Sequence, residues 1–439
     1  MSLLCRFEKR GSTISATEQR DPALSAFFGG AQTRSSQNVT ADTAIKISTV
    51  YACINRKASA LAMMPLHTMQ ELDDGGHRIA KEHRTYRQVH ARPNDWQTSF
   101  EWRYMGQAHK MLRGNFYNYK KYVPGRGANQ LIPLHPDRVW PFVITPEGTT
   151  YYMYDSSPTP PAGSKLYYQY FPINGEQVIF TASEVMHIRG YTDNGIVGKS
   201  VVRLMAESVG LAMATEQQGA TLFTNGAQIG KVFKHPNKLD DPTFDRLKGE
   251  LGQYTGVANS NKTIILEDGM SVEKISLTME EAQFLETRKF QVEDICSFLD
   301  VPMMLIHRSG DKNQTFASAE VINQMFITYN MQPEFENWEQ RLKEDLLFES
   351  EKGSYYFNFD FNAIMRGDMA AQAAYNKSRF ETASWTPDDI RRNSGESPMN
   401  TPESKQTYLQ SGMMPASMAG KQIKTTTDEK PKTPEVEDD

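Results

Sequence analysis

Apolar positions along this chain change period several times, and each change marks an element. Through residues 1–45 no period is visible: "GGAQTRSSQNVTADTA" is rich in Ser, Thr, Gln and Gly and reads as an arm without a core of its own. In "IKISTVYACINRKASALAMMPLHTMQ", Ile54, Ala58, Leu61 and Ala62 recur at helical spacing, and Pro65, which has no N–H, ends the helix. "PLHTMQELDDGGHRIA" predicts a hairpin turning at Asp74-Gly75-Gly76. "TSFEWRYMGQAHKMLRG" opens on a capping signal, Thr98 or Ser99 with Glu101 in the first turn, and closes at Gly114. Then "NFYNYKKYV", "LIPLHPDRVWPFVI", "TTYYMYD", "KLYYQYF" and "QVIFTASEVMHIRG" carry Tyr, Phe, Val and Ile between Gly, Pro, Ser and Asp turns. They predict an antiparallel sheet with one or two helices packed on it.

After "YTDNGIVGKS", the stretch "VVRLMAESVGLAMATEQQGATLFTN" predicts a helix of about 25 residues, roughly 38 Å long, ending at the cap pair Asn225-Gly226. A small α/β unit follows: strand "GKVFKHP", helix "DDPTFDRLKGELGQYTG", strands "KTIILEDG" and "SVEKISL". A second long helix, "TMEEAQFLETRKFQVEDICSFLD", and a third, "EVINQMFITYNMQPEFENWEQRLKEDLLF", flank the polar "VPMMLIHRSGDKNQTFASAE". Helix connections of this length are uncommon and are usually functional or disordered. Pro333 should kink the third helix. "SYYFNFDFNAI" reads as a strand, "DMAAQAAYNKSRFETAS" and "TPDDIRRNSG" as helices, and residues from about 413 as a disordered Pro/Thr/Lys/Asp/Glu tail. Helices at about 200–225 and 279–300 thus bracket the unit near 229–278, a stalk with a tip. Ala206, Gly210, Ala212, Ala214, Gly219 and Ala220 on the first of them suit close helix packing, which ordinary packing inside one chain explains as well.

At 439 residues the chain is too long for one simple core and should hold two to four structural units. A mean hydropathy of −0.57 fits a soluble chain, and no apolar run approaches the roughly 20 residues needed to span a bilayer. "MSLLCRFEKRG" has too short an apolar patch for a secretory signal, so none is expected. Cys5, Cys53 and Cys296 are few, odd in number and far apart, which argues against a disulfide framework and for a reducing compartment. The nine histidines show no metal-ligand spacing, so no metal site is expected. The net charge is −5, whereas a tight DNA binder is usually basic; any nucleic-acid contact must be local or weak.

Several motifs invite chemistry and lose on inspection. "DNGIVGKS" at 193–200 sits between a strand and a helix, as a phosphate-binding loop does, and "TIILED" at 263–268 resembles its carboxylate-tipped partner strand. The first position is Asp193 rather than Gly, and a carboxylate there repels phosphate; a tight turn with a solvated Lys199 is the simpler reading. Arg366-Gly367-Asp368 resembles an adhesion tripeptide, but Asp368 precedes a helix and reads as its N-cap. Glu280-Glu281 and Asp240-Asp241 stand at helix starts, where the helix dipole favours them. No Ser/His/Asp order, zinc signature or cofactor loop is present, so neither an enzyme nor a cofactor is expected.

The stretches "ISTVYACINRKASALAMMPLH", "HARPNDWQTSFEWRYMGQAHKMLRGNFYNY", "LIPLHPDRV", "EVMHIRGYTDNGIVGKSVV", "EDGMSVEKISLTMEEAQFLETRKFQVEDICSFLDVP" and "RGDMAAQAAYNKSRF" through "ETASWTPDDIRRNSGESP" resemble, in order, portal proteins of tailed double-stranded DNA bacteriophages. The closest branch is the lambdoid-type long-tailed phage portal family. The resemblance runs from about 46 to about 400 and leaves out the arm and the acidic tail. It implies an α+β portal fold: a flexible N-terminal arm (1–45), an α/β wing (46–198), a first stem helix (199–228), a small α/β clip (229–278), a second stem helix (279–300), a tunnel loop (301–318), a long kinked helix and strand completing the wing (319–361), a helical crown (362–412) and a disordered acidic tail (413–439). It implies a homo-oligomeric ring, typically a dodecamer, at one capsid vertex of the virion, assembled in the host cytoplasm. The ring is the channel for DNA packaging and ejection. Its implied partners are double-stranded DNA without sequence preference, the large terminase subunit that carries the ATPase, a head-tail adaptor, and the major capsid protein or scaffold. No membrane is involved.

By the same resemblance, residues 303–317 project into the channel, with His307, Arg308, Lys312, Asn313, Gln314 and Thr315 facing DNA. The residue types fit. Arg308 and Lys312 can meet phosphates, and the amides and hydroxyl can bond sugar or phosphate without reading bases. With Asp311 the loop nets about one positive charge, which suits a conduit, since each neutralised phosphate adds to binding. Two rival readings remain at this stage: a nucleotide-driven DNA translocase, supported only by the imperfect Gly-Lys-Ser turn, and a head-tail adaptor ring, which would lack the helix–tip–helix order.

Overall fold

The computed structural model describes residues 31–73, 75–122, 130–224, 231–234, 271–274, 278–306, 316–360 and 369–408. The chain divides into two compact units, Met1–Asp360 and Phe361–Asp439. The first begins with the hairpin β1 (Ala31–Gln32) and β2 (Asn38–Val39), then α1 (Ala41–Ala44), closed by a reciprocal Thr40–Thr43 capping box. Helix α2 (Ser48–Met63) buries Ile54, Ala58, Leu61 and Ala62, the expected face, together with Cys53 and Lys57. Strands β3 (Leu66–Glu71) and β4 (His77–Ile79) form the expected hairpin; Asp74 lies outside the described residues. After α3 (Tyr86–His90), α4 (Ser99–Arg113) starts on a capping box between Thr98 and Glu101 and ends at Gly114 with φ +77°.

The strands that follow are β5 (Asn115–Lys121), β6 (Gln130–Leu134), β7 (Val139–Ile144), β8 (Thr150–Tyr152), β9 (Lys165–Tyr170), β10 (Val178–Thr181) and β11 (Val185–Arg189). They do not make one sheet. Their antiparallel ladders run β11-β5-β6 in one sheet and β10-β9-β7-β8 in another. Two short corners divide them. A 3-10 turn at Pro136–Arg138 breaks the "LIPLHPDRVWPFVI" run. A tight turn breaks "QVIFTASEVMHIRG", with Glu184 Oε2 accepting from the Thr181 amide and hydroxyl. Tyr117, Leu134, Val139, Tyr168 and Val185 fill a core shared by the two sheets.

The expected helix after the Gly-Lys-Ser turn is broken at Met205 into α5 (Val201–Leu204) and α6 (Ala206–Thr224). The chain then makes the antiparallel pair β12 (Lys231–Lys234) and β13 (Ser271–Lys274) and returns through α7 (Thr278–Phe298). The expected helix at 240–256 and strand at 262–269 lie outside the described residues. Helices α6 and α7 pack together, joined by a buried bond from Gln291 Nε2 to Thr215 Oγ1 (2.9 Å). The arm expected to lack a core is packed from residue 33 on. Val39 and Ala44 are buried, the Arg34 amide donates to Glu207, and Gln37 donates to Gln217. Thr33 fills the space beside Gly210, where a Cβ would sit 2.6 Å from its side chain.

The third long helix is α8 (Phe316–Met325), a π-turn at Phe326–Met331, and α9 (Gln332–Leu346). Pro333 acts through that turn. It offers no N–H and its ring crowds the carbonyl one turn back, and the chain widens there so that the Gln332 amide donates to Ile327, five residues behind. Helix α9 then seats Trp338 edge-on to Trp102, with ring centroids 5.4 Å apart. Gly106 makes room for it: a Cβ there would lie 2.7 Å from Trp338. The indole N–H groups are satisfied, Trp338 by Gln107 (3.1 Å) and Trp102 by Asn118 (2.8 Å). Strand β14 (Tyr355–Phe359) completes the sheet β14-β3-β4. In the second unit, α10 (Met369–Glu381) is followed by α11 (Pro387–Asn393), capped by Thr386 with Asp389. The Asp388 carboxylate accepts from the amides of Met399 and Asn400, and Tyr375 packs edge-on to Trp385. Arg366-Gly367-Asp368 and the tail from 409 on lie outside the described residues.

Glu339 on α9 holds the Phe359 amide of β14 (2.7 Å). Burial pushes its carboxyl up to about 7, against that hydrogen bond and helped by Glu336. The folded protein therefore holds this proton more tightly than the unfolded chain does. The associated stability is full below the ordinary carboxyl range and is lost as pH rises through about 7. Glu339→Gln keeps an oxygen for Phe359 and removes the charge. Chemical denaturation should show it more stable than the parent at pH 8, on the order of 1 kcal/mol, with the difference vanishing near pH 4.5.

Candidate functional site

The polar connection between α7 and α8 is held at its base by one acidic residue. Two residues past the end of α7, Asp300 has φ +54°. Asp tolerates this left-handed conformation better than most side chains. Asp300 N–H closes onto Ser297, and Val301, buried, donates to the Cys296 carbonyl (3.0 Å). The Asp300 carboxylate is met from two sides. Lys57 of α2 approaches at 3.5 Å, and Asn330 of the π-turn donates to its other oxygen at 2.5 Å. Beyond it, Arg56 donates to the Leu305 carbonyl (2.9 Å) at the end of the 3-10 turn Met303–Leu305. Three elements therefore fix the place where the connection leaves the body.

This base is continuous with a buried charge network. Lys110 of α4 pairs with Glu334 of α9 at 2.5 Å, both largely out of water. Burial works to raise the Glu334 carboxyl, yet Lys110 and Lys57 together pull it below the usual range. Lys57 thus lies between Glu334 and Asp300 and joins α2, α4, α9 and the end of α7. Lys57 itself is 5% exposed. Its burial is eased by the Asp300 carboxylate at 3.5 Å and by its attraction to Glu334.

The Gly-Lys-Ser turn has another use than phosphate. A phosphate cradle needs free backbone N–H groups, and here they are taken. Thr192 Oγ1 accepts from Gly195, Asn194 Oδ1 from Ile196 and Val197, and Asn115 Oδ1 from Gly198. Lys199 pairs with Asp193 rather than standing solvated. Gly198 lies against the Gly114 carbonyl so closely that any Cβ would overlap it. Asn115 Oδ1 also takes the Nε2 proton of the fully buried His187, whose Nδ1 is bonded to Tyr168. Burial keeps His187 neutral, its pKa well below the ordinary value. The turn is a structural splice between β5, β11 and α5.

His307, Arg308, Lys312, Asn313, Gln314 and Thr315, the residues expected to face DNA, lie outside the described residues. Arg56, Lys57 and Asn330, which hold Asp300 and Leu305, were missed by sequence reasoning. One signal was available: Lys57 stands on the same helical face as Ile54, Ala58 and Leu61. The cysteines were read as far apart, yet the fold brings Cys53 and Cys296 together as free thiols. Among the described residues no group of three or more His, Cys, Asp or Glu side chains could hold a metal, and no helix is long and apolar enough to cross a membrane.

With this geometry in place, the comparisons with known proteins are specific. The family model for phage portal protein matches residues 48–395. The portal protein of Enterobacteria phage HK97 is 24% identical over 357 residues, covering 81% of this chain and 80% of that protein. A probable portal protein of Streptomyces phage phiC31 is 25% identical over 370 residues, covering 81% and 76%. Among solved structures, a chain in the neck of an empty gene transfer agent particle, computed with C6 symmetry, superposes with a TM-score of 0.52 at 18% identity, over 81% of this chain and 92% of that one. The native particle's neck, computed with C12 symmetry, gives 0.50 at 18% identity over the same shares. At that identity the likeness concerns the fold.

Asp300→Ala leaves Lys57 short of a carboxylate and puts a Cβ-only residue in the left-handed conformation. It should cost about 1–3 kcal/mol by denaturant unfolding. Protease cleavage within 307–315 should become faster than in the parent under native conditions. An unchanged cleavage rate would show that Asp300 does not fix the base of the connection.

Proposed function

Because the chain belongs to the phage portal protein family, matched over residues 48–395, we propose that it works as one subunit of a ring of twelve at a capsid vertex, with DNA passing through the centre. Portal proteins are structural components of the virion. The fold is the α+β portal fold. The observation that carries the detailed reading is the order of elements: α6 leads out, β12 and β13 pair, and α7 leads back to Asp300. In this reading α6 and α7 are the stem, 229–278 the clip that docks the large terminase, residues 46–198 with 319–361 the wing, and 362–412 the crown. The C12 and C6 symmetries used for the necks of the fold neighbours support a ring. So does the surface: Val321, Met325 and Tyr329, on successive turns of the long helix, are 54%, 51% and 71% exposed. Apolar side chains set in a row like this need a cover, and a head-to-tail contact that closes supplies one at every subunit.

The chemistry asked of the ring is passage rather than binding. Residues 301–318 are the tunnel loop, rooted at Asp300 and reaching toward DNA through His307, Arg308, Lys312, Asn313, Gln314 and Thr315. One net positive charge per loop gives about twelve around the channel, enough to centre a polyanion and too few to hold it. The chain itself supplies no motor: the Gly-Lys-Ser turn has spent its N–H groups on Asn115, Asn194 and Thr192. A separate terminase supplies ATP hydrolysis, and a head-tail adaptor and the capsid protein or scaffold are the other partners. Assembly takes place in the host cytoplasm.

Arg308→Glu with Lys312→Glu changes each loop by four charge units, about 48 in a ring of twelve, at distances where screening over roughly 8–10 Å is incomplete. Assembly and thermal stability should match the parent. DNase-protected DNA, packaged by added terminase, should fall, more at low salt than at high, and the Gln pair should do less. Equal packaging at low salt would remove the loop from the channel wall. The purified parent and Lys199→Ala should both hydrolyse ATP at background, with DNA and without.

A further inference from the structure

Cys53 and Cys296 are 243 residues apart in sequence, and their sulfurs are 3.8 Å apart in the fold. Cys53 lies mid-way along α2, between Val50 and Lys57; Cys296 lies in the last turn of α7, four residues before Asp300. Their exposures are 0% and 2%, and both are free thiols. A disulfide needs the sulfurs at about 2.05 Å, so the two sulfurs have to approach by less than 2 Å. Two cysteines packed singly in a core serve as small apolar side chains. A pair facing each other across two helices has a further reaction open to it.

We infer that Cys53 and Cys296 are a dithiol–disulfide pair, oxidised by a small peroxide, that pins the end of α7 to α2. The two sulfurs are within hydrogen-bond reach and either S–H can donate to the other, so either thiol can be oxidised first. Written with Cys296 first, and equally valid with the two exchanged, the thiolate attacks a peroxide oxygen, breaks the O–O bond and becomes a sulfenic acid; the departing oxygen leaves as hydroxide and takes up a proton as water. The Cys53 sulfur then attacks the Cys296 sulfur, its proton leaves, and the sulfenic oxygen departs as a second water. Two thiols and hydrogen peroxide give one disulfide and two waters. The two electrons lost by sulfur reduce the peroxide. Because both sulfurs are buried, the reaction waits on opening of the α7 end and runs slower than for a free small thiol.

The bond would act on the base of the connection. The Cys296 carbonyl already holds Val301, and Lys57, one turn from Cys53, already holds Asp300. A covalent link beside these contacts keeps the 301–306 segment against α2 when the surroundings fluctuate. This consequence for the tunnel loop rests on the reading of 301–318 given above; the bond itself does not.

The test uses the full-length protein as it assembles, with Cys5→Ser to remove the third thiol and the parent in parallel. After hydrogen peroxide treatment, unreduced peptide mass spectrometry should find one linked pair holding residues 53 and 296, lighter by two hydrogens than the sum of its parts. The midpoint of thermal unfolding should rise by several degrees, cleavage within 307–315 should slow, and dithiothreitol should reverse all three. Cys53→Ser and Cys296→Ser should show no link and no rise. Thiols still unmodified after an exposure far longer than free glutathione needs to be oxidised, sulfinic acid without a link, or a link to Cys5 or between chains would each overturn the proposal. A link that leaves cleavage unchanged overturns its effect on the loop base alone. None of these readouts involves DNA, so a failed ring or channel reading is detected separately.

Discussion

Lys57 sits on the buried face of a helix, and its ammonium has to be met by charge. Taking a lone cation out of water costs far more than one side chain's packing returns. The chain meets it with Glu334, itself paired to Lys110, and with Asp300. These groups come from α9, α4 and the end of α7, so the network forms as three distant stretches arrive together. Breaking the buried Lys110–Glu334 pair should cost about 3–5 kcal/mol, a large share of a domain's net stability; the Lys57–Asp300 contact, exposed on the Asp300 side, is weaker. The Trp102–Trp338 contact over Gly106 packs the same helices. It supplies area, whereas the charges select one arrangement.

That arrangement matters because of what it leaves outside. Asp300 is at once the last partner of the network and the point where the polar connection departs. The π-turn that accommodates Pro333 also brings Asn330 to the same carboxylate. A connection with a fixed root and a hydrophilic, weakly charged span suits contact with a sliding polyanion. Its root is set by packing, and its span carries little net charge.

Much of this was legible in the sequence, and the reasons are local. The α2 face, the Thr98–Glu101 cap, the Gly114 stop and the β3–β4 hairpin are written in spacing and turn chemistry, which act over a few residues. The order of helices around the 229–278 segment was visible for the same reason. What was missed depends on contacts far apart in the chain. One expected sheet became two because the 3-10 corner at Pro136–Arg138 redirects the strand, and which neighbour it then pairs with is a tertiary matter. Residues 33–45 carry no period of their own, yet they pack because α6 offers Glu207, Gln217 and a gap at Gly210. The Asp193 departure correctly argued against a phosphate loop. That Asn115, 83 residues from Gly198, occupies the turn's N–H could not be read from spacing.

The central claim is that many copies of this chain close into a ring around a channel wide enough for DNA. Electron microscopy of the purified full-length protein, with native mass spectrometry on the same sample, tests it most directly. The account predicts closed particles of twelve chains with a central opening wider than the roughly 20 Å of a B-form duplex. A chain that remains a monomer at every concentration, or a closed particle without an opening of that width, would contradict it.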